Sequence, residues 1–272
     1  MPIKIVITGA SGFIGRALLR QLPQDEFVVT GFTRRQLPGL VTVAHYTNIP
    51  IQNDAILVHL AQGCVASASL EYEEIELCRA LLSRPWKHVI YASSAVVYGD
   101  TKDYPRWPEE PVSAMNDYAR LKLTCEDIVT KGGGTCLRFA NLYGPGKGAE
   151  TVISDILRQI PGDGPLKLRD VSPVRDFLWV DDAARCIAAA CRKMPGGILN
   201  AGTGNGIAVG DVARLALRLA GEGSRPVIGM IDQYRASHIA LDITKTLSAL
   251  NWSPEVDISS GLSSLLRMKK EQ

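Results

Sequence analysis

The stretch IKIVITGASGFIGRALL, residues 3–19, sets three glycines between an apolar run and a segment with helical spacing. The run Ile3–Thr8 is rich in β-branched residues, which predicts a buried strand. Glycine at positions 9, 12 and 15 permits a tight turn, close approach of the backbone to a pyrophosphate, and close packing of the helix on the strand. Glycines alone are weak evidence, but their place between a strand and a helix predicts a dinucleotide-binding turn at a helix N-terminus.

Strand-like and helix-like segments alternate up to about residue 140. Strands are predicted at Ile3–Thr8, Phe27–Phe32, Leu40–Ala44, Ala55–Leu60, His88–Ala92 and Thr135–Phe139, and helices at Ile14–Gln21, Glu71–Leu82 and Tyr118–Thr130. This pattern predicts an α/β protein with a Rossmann-type, doubly wound parallel sheet. Turn-rich sequences and isolated strands follow, which indicates a smaller α/β lobe on the C-terminal side. We therefore expect an NAD(P)-binding domain at 1–140 and a mainly substrate-binding lobe at 141–272, some segments of which return to the first domain.

The composition of the 272-residue chain, with 46% hydrophobic and 21% charged residues, is that of an ordinary globular protein. A formal net charge of +2 argues against a nucleic-acid partner. The N-terminal sequence lacks a signal-peptide core, and the apolar stretch CIAAAC is too short to cross a bilayer, so we expect no membrane association. Six cysteines without a CxxC pair and four scattered histidines predict a cytoplasmic protein without disulfides or a metal site.

The end of the second predicted strand, FTRRQ at residues 32–36, bears on the choice of dinucleotide. NAD-specific sites usually have an acidic residue here, which binds the ribose hydroxyls. This chain has Thr33, Arg34 and Arg35 instead, and arginine pairs well with a 2′-phosphate. We therefore expect NADP(H) to be preferred, with NAD(H) possible. A pair of solvated loop charges is the alternative interpretation.

The sequence YARLK, residues 118–122, places Tyr118 and Lys122 four positions apart, on one face of a predicted helix. A free phenol titrates near pH 10, but a neighbouring ammonium and a bound nicotinamide cation stabilise the phenolate. Tyr118 is therefore a candidate acid or base. The spacing occurs by chance in many helices, where it means a core residue beside a surface residue. Its position after the glycine turn favours the catalytic interpretation.

Several motifs occur together in one order along the chain. They are TGASGFIG (8–15), HLA (59–61), SSAVVYG (93–99), YARLK (118–122), LRFANLYGPG (137–146) and VRDFLWVDDAA (174–184). In this order they resemble the extended short-chain dehydrogenases/reductases, in the NAD-dependent epimerase/dehydratase family that acts on nucleotide-diphosphate sugars. The resemblance covers nearly the whole chain. It implies a nucleotide-diphosphate sugar as substrate and, since pairing through two sheet-flanking helices is common in the family, a homodimer.

The resemblance also implies roles for individual residues. Ser94 matches the catalytic hydroxyl residue that binds the reacting oxygen of the sugar. Tyr118 would exchange a proton with that oxygen, while Lys122 would hold the nicotinamide ribose and lower the pKa of Tyr118. The cofactor would contact Gly9, Ser11, Gly12, Phe13, Ile14, Gly15, Arg34, Arg35, Leu60, Ala61, Tyr118 and Lys122. The substrate would contact Ser94, Asn141, Arg175 and Arg235.

Two of these substrate contacts have alternative interpretations. Arg175 matches a position that grips the diphosphate, but it could instead form a structural ion pair with Asp176 or Asp181. Arg235 departs from the common spacing to the sequence LDITK, residues 241–245, which weakens its assignment.

The residues after Ser94 restrict the reaction. Sugar 4,6-dehydratases of this family have an Asp-Glu pair there, which drives the elimination of water, whereas this chain has Ala95 and Val96. Three hypotheses remain. The first is an NADPH-dependent reductase of a nucleotide-linked 4-keto-6-deoxyhexose, acting at C4, and the second is a 4-epimerase with tightly held NAD. The third is a non-catalytic NADP(H)-sensing protein, which would not need the Ser-Tyr-Lys set.

Overall fold

The computed structural model describes residues 1–62, 68–82, 84–148, 151–231 and 236–271, with residues 68–70 described by their backbone only. The strands are β1 (Ile3–Thr8), β2 (Phe27–Thr33), β3 (Val41–Thr42), β4 (Ile56–His59), β5 (His88–Ser94), β6 (Thr135–Phe139), β7 (Asn141–Tyr143), β8 (Leu166–Leu168), β9 (Val174–Trp179), β10 (Gly197–Ala201), β11 (Gly206–Ala208), β12 (Val227–Gly229) and β13 (His238–Ile239). The helices are α1 (Phe13–Gln21), α2 (Ala68–Leu82), α3 (Asp117–Lys131), α4 (Val152–Arg158), α5 (Val180–Lys193), α6 (Val209–Ala220), α7 (Thr244–Leu250) and α8 (Ile258–Lys270).

Within the described residues, seven parallel strands form one sheet in the order β10-β6-β5-β4-β1-β2-β3. Its two faces are covered by different helices. Ile5 and Ile7 of β1 pack into the core that contains α1 and α5, whereas Val6, which points to the opposite face, packs into the core that contains α2. Burial on both faces explains why the central strands are apolar along their length. The predicted Rossmann-type, doubly wound parallel sheet is confirmed.

The order of the strands places a crevice at one edge of this sheet. From β1 the chain proceeds outward to β2 and β3, and then returns to β4 on the other side of β1. In open parallel sheets, ligands bind at such a reversal, outside the carboxyl ends of the strands. The glycine turn follows β1, and Ser94 is the last residue of β5, so both lie at this edge.

A smaller α/β lobe is built around β9, which pairs with β7, β11 and β13. A parallel pair, β8 and β12, lies beside it. Its core is separate from that of the main sheet and includes Ile156, Leu166, Trp179, Val212 and Leu262, contributed by α4, β8, β9, α6 and α8. The lobe is therefore a compact unit of its own, placed after the strands that carry the candidate catalytic residues.

Some segments beyond residue 140 pack with the main sheet. Strand β10 pairs with β6 and forms the sheet edge. Helix α5 packs against α1, because small side chains such as Ala183 and Ala190 allow close approach. Trp252, just after α7, also enters this core.

The sequence-based elements differ from the structure mainly in the short strands. The predicted strand Leu40–Ala44 is reduced to Val41–Thr42, and β7, β8, β11 and β13 were not predicted. The cysteines that the structure describes are buried and have free thiols, whereas Cys64 lies outside the described residues. Among the described residues, no helix combines the length and apolar character needed to span a membrane.

Candidate active site

The glycine turn brings the ends of β1 and β4 into direct contact. Gly9 has a φ of +68°, and a Cβ atom there would lie 2.8 Å from the backbone nitrogen of Ala61. At Gly15 a Cβ would lie 2.4 Å from the carbonyl oxygen of Gly9, so only glycine lets α1 approach the turn. His59 supports this contact, since its Nδ1 is hydrogen-bonded to the Thr8 hydroxyl at a distance of 2.7 Å. Burial lowers the pKa of His59 to about 3, so its imidazole is neutral.

The N-terminus of α1 fits the pyrophosphate of a dinucleotide. Its N-cap is Gly12, and no side chain caps the helix. The Ser11 hydroxyl, which could otherwise act as a cap, is hydrogen-bonded to the Thr33 hydroxyl at a distance of 2.8 Å. Arg16 donates to the Ser11 carbonyl at 2.8 Å and to the Gly146 carbonyl at 3.2 Å, which ties the turn to the loop after β7. The backbone amides of the first turn are thus left for an anion.

The end of β2 is the candidate adenosine-side site. Thr33 is buried, whereas Arg34 and Arg35 are exposed. The Arg34 guanidinium lies 5.9 Å from the ring centre of Tyr46, whose hydroxyl accepts a hydrogen bond from the backbone N–H of Gly9 at 3.2 Å. Tyr46 was not predicted from the sequence, since it lies outside residues 32–36, where the ribose-binding residue is expected. An aromatic residue following the third strand was the available signal.

Ser94, Tyr118 and Lys122 line one cleft of about 690 Å³. Ser94 is the N-cap of the short 3-10 helix Ala95–Tyr98, and its hydroxyl accepts a hydrogen bond from the backbone N–H of Val96 at 3.3 Å. The Lys122 ammonium lies 5.6 Å from the centre of the Tyr118 ring and donates to the Ala92 carbonyl at 2.6 Å. The three side chains, contributed by β5 and α3, are therefore brought together at the carboxyl edge of the sheet.

Burial shifts the pKa values of Tyr118 and Lys122 in opposite directions. Burial raises the pKa of Tyr118, and hydrogen bonding with Ser94 lowers it only in part. Lys122 is not among the groups that shift this pKa in the chain by itself, so its expected effect on Tyr118 in the cofactor complex stays a prediction. Burial instead lowers the pKa of Lys122 to about 8, although the negative charge of Glu126 opposes this shift. A protonated phenol is thus the resting form of Tyr118 at neutral pH.

A buried ion pair fixes the strands and the helix that carry these residues. Glu126, one turn after Lys122 on α3, receives hydrogen bonds from Arg138 Nε at 2.9 Å and Nη2 at 2.7 Å. The Ser93 hydroxyl donates to the same carboxylate at 2.5 Å. Both members of the pair are almost fully buried. Glu126 therefore joins β5, α3 and β6 directly behind Ser94, although Ser93 itself is not a candidate catalytic residue.

The predicted substrate contacts are only partly brought together. Asn141 and Arg175 line the same cleft as Ser94. Arg175 Nη2 donates to the Ser237 hydroxyl at 2.7 Å and lies 3.8 Å from a carboxylate oxygen of Asp100. Arg235 lies outside the described residues.

The structure also identifies the ionic partners near Arg175. The two partners considered from the sequence are engaged elsewhere, since Asp176 accepts hydrogen bonds from Thr203 and Asp181 pairs with Arg20. An ion pair at Arg175 was thus correctly considered, but with the wrong carboxylates.

Five further polar residues in the lining were not predicted from the sequence: Gln62, Lys147, Thr151, Arg169 and Asp170. Lys147 lies in the glycine-rich turn after β7, and its ammonium is 4.7 Å from the ring centre of Phe13 in the cofactor turn. A lysine between closely spaced glycines was a usable signal. Together with Lys122, Arg169 and Arg175 it makes the charged residues of the described lining mainly cationic, which suits a phosphorylated ligand.

A family profile described as NAD dependent epimerase/dehydratase family matches residues 5–202. The chain belongs to this family. The resemblance inferred from the ordered motifs is thereby confirmed, and NAD-dependent chemistry is a property of the family.

Relatives of this epimerase/dehydratase family protein span nearly its whole length. It is 23% identical to a protein named putative UDP-glucose 4-epimerase from Methanocaldococcus jannaschii, over 98% of both chains. It is also 23% identical to a dTDP-4-dehydro-6-deoxyglucose reductase from Escherichia coli, over 97% of this chain and 96% of the relative. The crystal structure of UDP-N-acetylglucosamine 4-epimerase from Bacillus cereus superposes with a TM-score of 0.84 at 23% identity, covering 98% and 99% of the two chains. At this identity the structural likeness shows the fold alone.

Proposed function

We propose that the protein is an NADPH-dependent reductase that converts a nucleotide-linked 4-keto-6-deoxyhexose to the 4-hydroxy sugar. The observation that carries this proposal is the Tyr118 hydroxyl, protonated at neutral pH, beside Ser94 in a cleft whose charged side chains are mainly cationic. Reduction of a ketone needs one proton donor at the carbonyl oxygen and a hydride donor at its carbon. The chain offers the first, and its family supplies the second. A relative named as a dTDP-4-dehydro-6-deoxyglucose reductase supports this substrate class.

In this proposal, Ser94 donates a hydrogen bond to the C4 oxygen, and Tyr118 transfers its proton to that oxygen as negative charge develops there. The bound NADPH supplies the hydride that reaches C4. Lys122 binds the nicotinamide ribose, and its positive charge favours the phenolate that Tyr118 becomes. Asn141 and Arg175 bind the diphosphate, with Arg235 as a further contact. Ala95 and Val96 cannot transfer protons, which disfavours dehydration.

The preference for NADP(H) is part of the same proposal. Arg34 and Arg35 are exposed at the end of β2, and Thr33 stands where a carboxylate would repel a 2′-phosphate. A reductase that exchanges its cofactor each turnover also benefits from a reduced NADPH pool. The remaining parts have other grounds. A cytoplasmic location rests on the cysteine usage, a substrate-binding lobe formed mainly by residues 141–272 rests on the turn-rich sequence there, and a homodimer rests on the family resemblance.

The competing function is a 4-epimerase that keeps its NAD. Proteins named as 4-epimerases are among the relatives and the structural neighbours, and the Ser-Tyr-Lys set serves both reactions. The two functions differ in cofactor balance. An epimerase oxidises C4 and returns the hydride to the other face, so it regenerates its cofactor, whereas a reductase consumes one NADPH for each sugar.

Incubation with a panel of nucleotide-linked hexoses and 4-keto-6-deoxyhexoses tests the proposal. We expect one NADPH to be consumed for each 4-keto sugar, followed by absorbance at 340 nm and by chromatography of the sugars. Interconversion of two hexoses without net NADPH consumption would show an epimerase. In the reductase assay Tyr118→Phe should lower kcat by roughly 10²- to 10⁴-fold while NADPH binding is retained. Tyr72→Phe, at an exposed tyrosine on α2, is the matched control and should leave kcat unchanged.

A further inference from the structure

Gln62 is a polar residue of the cleft to which no role has yet been given. It lies two residues beyond Leu60, at the end of β4, and lines the cleft together with Ser94, Tyr118 and Lys122. Its side-chain Nε2 and Oε1 are both buried, and neither has a hydrogen-bond partner among the residues that the structure describes. A buried amide without partners is unfavourable for folding, and most such groups are satisfied in native proteins. The missing partner is therefore expected to be a ligand.

The position of Gln62 is set by the backbone that precedes it. The Leu60 N–H donates to the Thr8 carbonyl, and the Ala61 N–H donates to the Thr8 hydroxyl, both at a distance of 3.3 Å. Ala61 is also the residue against which Gly9 packs. Gln62 is thus held next to the cofactor turn rather than placed at the tip of a free loop.

The order of the strands indicates which half of a dinucleotide passes this point. Strand β4 lies between β1, whose end carries the glycine turn, and β5, whose end carries Ser94. A dinucleotide with its pyrophosphate on the turn and its nicotinamide beside Tyr118 must cross the end of β4. Its nicotinamide half therefore passes Gln62, whereas its adenosine half lies towards β2 and Arg34.

We propose that Gln62 is a cofactor-binding residue for the nicotinamide nucleoside half of the dinucleotide. Its amide has one acceptor oxygen and two donor hydrogens, a set that complements a ribose diol or a carboxamide. This inference requires a dinucleotide, which the family supplies, but it does not depend on whether the reaction is reduction or epimerisation. Lys122 is the charged contact proposed for this nucleoside, and Gln62 is a second, neutral contact to it from the end of β4.

The test is equilibrium binding of cofactor fragments to the full chain in the absence of sugar. Gln62→Met keeps the length of the side chain and removes its polar atoms. By isothermal titration we expect this variant to bind NADPH and reduced nicotinamide mononucleotide roughly three- to tenfold more weakly, the loss of about one hydrogen bond. Its affinity for 2′,5′-ADP should be unchanged. Its melting temperature without ligand should not fall, because an unpartnered buried amide has been removed.

Arg34→Ala is the matched control at the opposite end of the cofactor. It should weaken the binding of 2′,5′-ADP and leave the affinity for reduced nicotinamide mononucleotide unchanged. If the chain prefers NAD(H), NADH and ADP replace NADPH and 2′,5′-ADP, so failure of the cofactor preference is distinguishable from failure of this inference. Unchanged mononucleotide binding in Gln62→Met would overturn the proposal. Equal weakening of both fragments, or weakened binding of a nucleotide sugar alone, would overturn it as well.

Discussion

At the scale of single residues, Thr33 and Arg34 are the residues on which the proposed cofactor preference rests. The Thr33 hydroxyl is hydrogen-bonded to the Ser11 hydroxyl and to the backbone N–H of Arg35 at 3.1 Å. It therefore shapes the turn rather than presenting a charge to the ribose. The Arg34 guanidinium lies over the Tyr46 ring, and Arg34 is exposed. A cation held near an aromatic face is well placed to pair with a 2′-phosphate.

Arg34→Ala should remove most of the proposed preference for NADPH. A charge-assisted hydrogen bond to phosphate contributes about 1.5–3 kcal/mol, so the KM for NADPH should rise roughly 10- to 100-fold. The KM for NADH should remain within about twofold, because NADH carries no 2′-phosphate. Steady-state kinetics with both cofactors measure the ratio of the KM for NADPH to the KM for NADH. Arg35→Ala is the neighbouring control, and a ratio left unchanged by both substitutions would remove this cation pair from cofactor selection.

At the scale of elements, Glu126 joins β5, α3 and β6. Its carboxylate binds Arg138 through two hydrogen bonds and accepts a third from Ser93. Arg138 also donates to the Pro108 carbonyl at 3.2 Å and lies over the Tyr98 ring at 4.7 Å. The hydroxyl of Ser94 and the face of α3 that carries Tyr118 are thereby held in one arrangement. The pair acts by position, since none of its atoms lines the cleft.

Glu126→Gln should destabilise the fold more than Ser93→Ala. Removing one partner of a buried ion pair leaves an uncompensated charge on Arg138, which costs about 3–5 kcal/mol of unfolding free energy. Ser93→Ala removes one hydrogen bond to the carboxylate and leaves the ion pair intact, so its cost should be lower, about 1.5–3 kcal/mol. Urea denaturation of both variants measures the difference. Equal, small losses in the two variants would contradict the assignment of Glu126 as the residue that joins the three elements.

The elements also show what could be predicted from the sequence and why the rest could not. β1 and β6 were predicted with their observed bounds, because apolar runs ended by glycine or turn residues are local signals. β7, β11 and β13 have two or three residues each and are strands only because β9 lies beside them. The same distinction holds in the site. Ser94 and Tyr118 stand in sequence motifs, whereas the unpartnered amide of Gln62 is visible only in three dimensions.

At the scale of the whole molecule, the core of the main sheet is built from distant parts of the chain. Residues of β1 and α1 share this core with Leu199 of β10, with most of α5, and with Leu250 and Trp252 near α7. Hydrogen bonds reinforce these contacts. Asn200 of β10 accepts from the Tyr98 hydroxyl at 2.7 Å and donates to the Arg106 carbonyl at the same distance. The sheet therefore depends on segments that alternate in sequence with those of the lobe, not only on residues 1–140.

This dependence predicts that a fragment of residues 1–140 does not fold by itself. Without β10 the edge of β6 is unpaired, and without α5 the apolar face of α1 and residues such as Leu18 and Ile90 are exposed to water. Burial of an aliphatic side chain contributes about 1.5–3 kcal/mol, so the loss of several such contacts exceeds the usual net stability of a domain. Circular dichroism should show a single cooperative thermal transition for the full chain and none for the fragment. A cooperative transition of the fragment, accompanied by NADPH binding, would show instead that residues 1–140 are an independent folding unit and that the later segments only extend it.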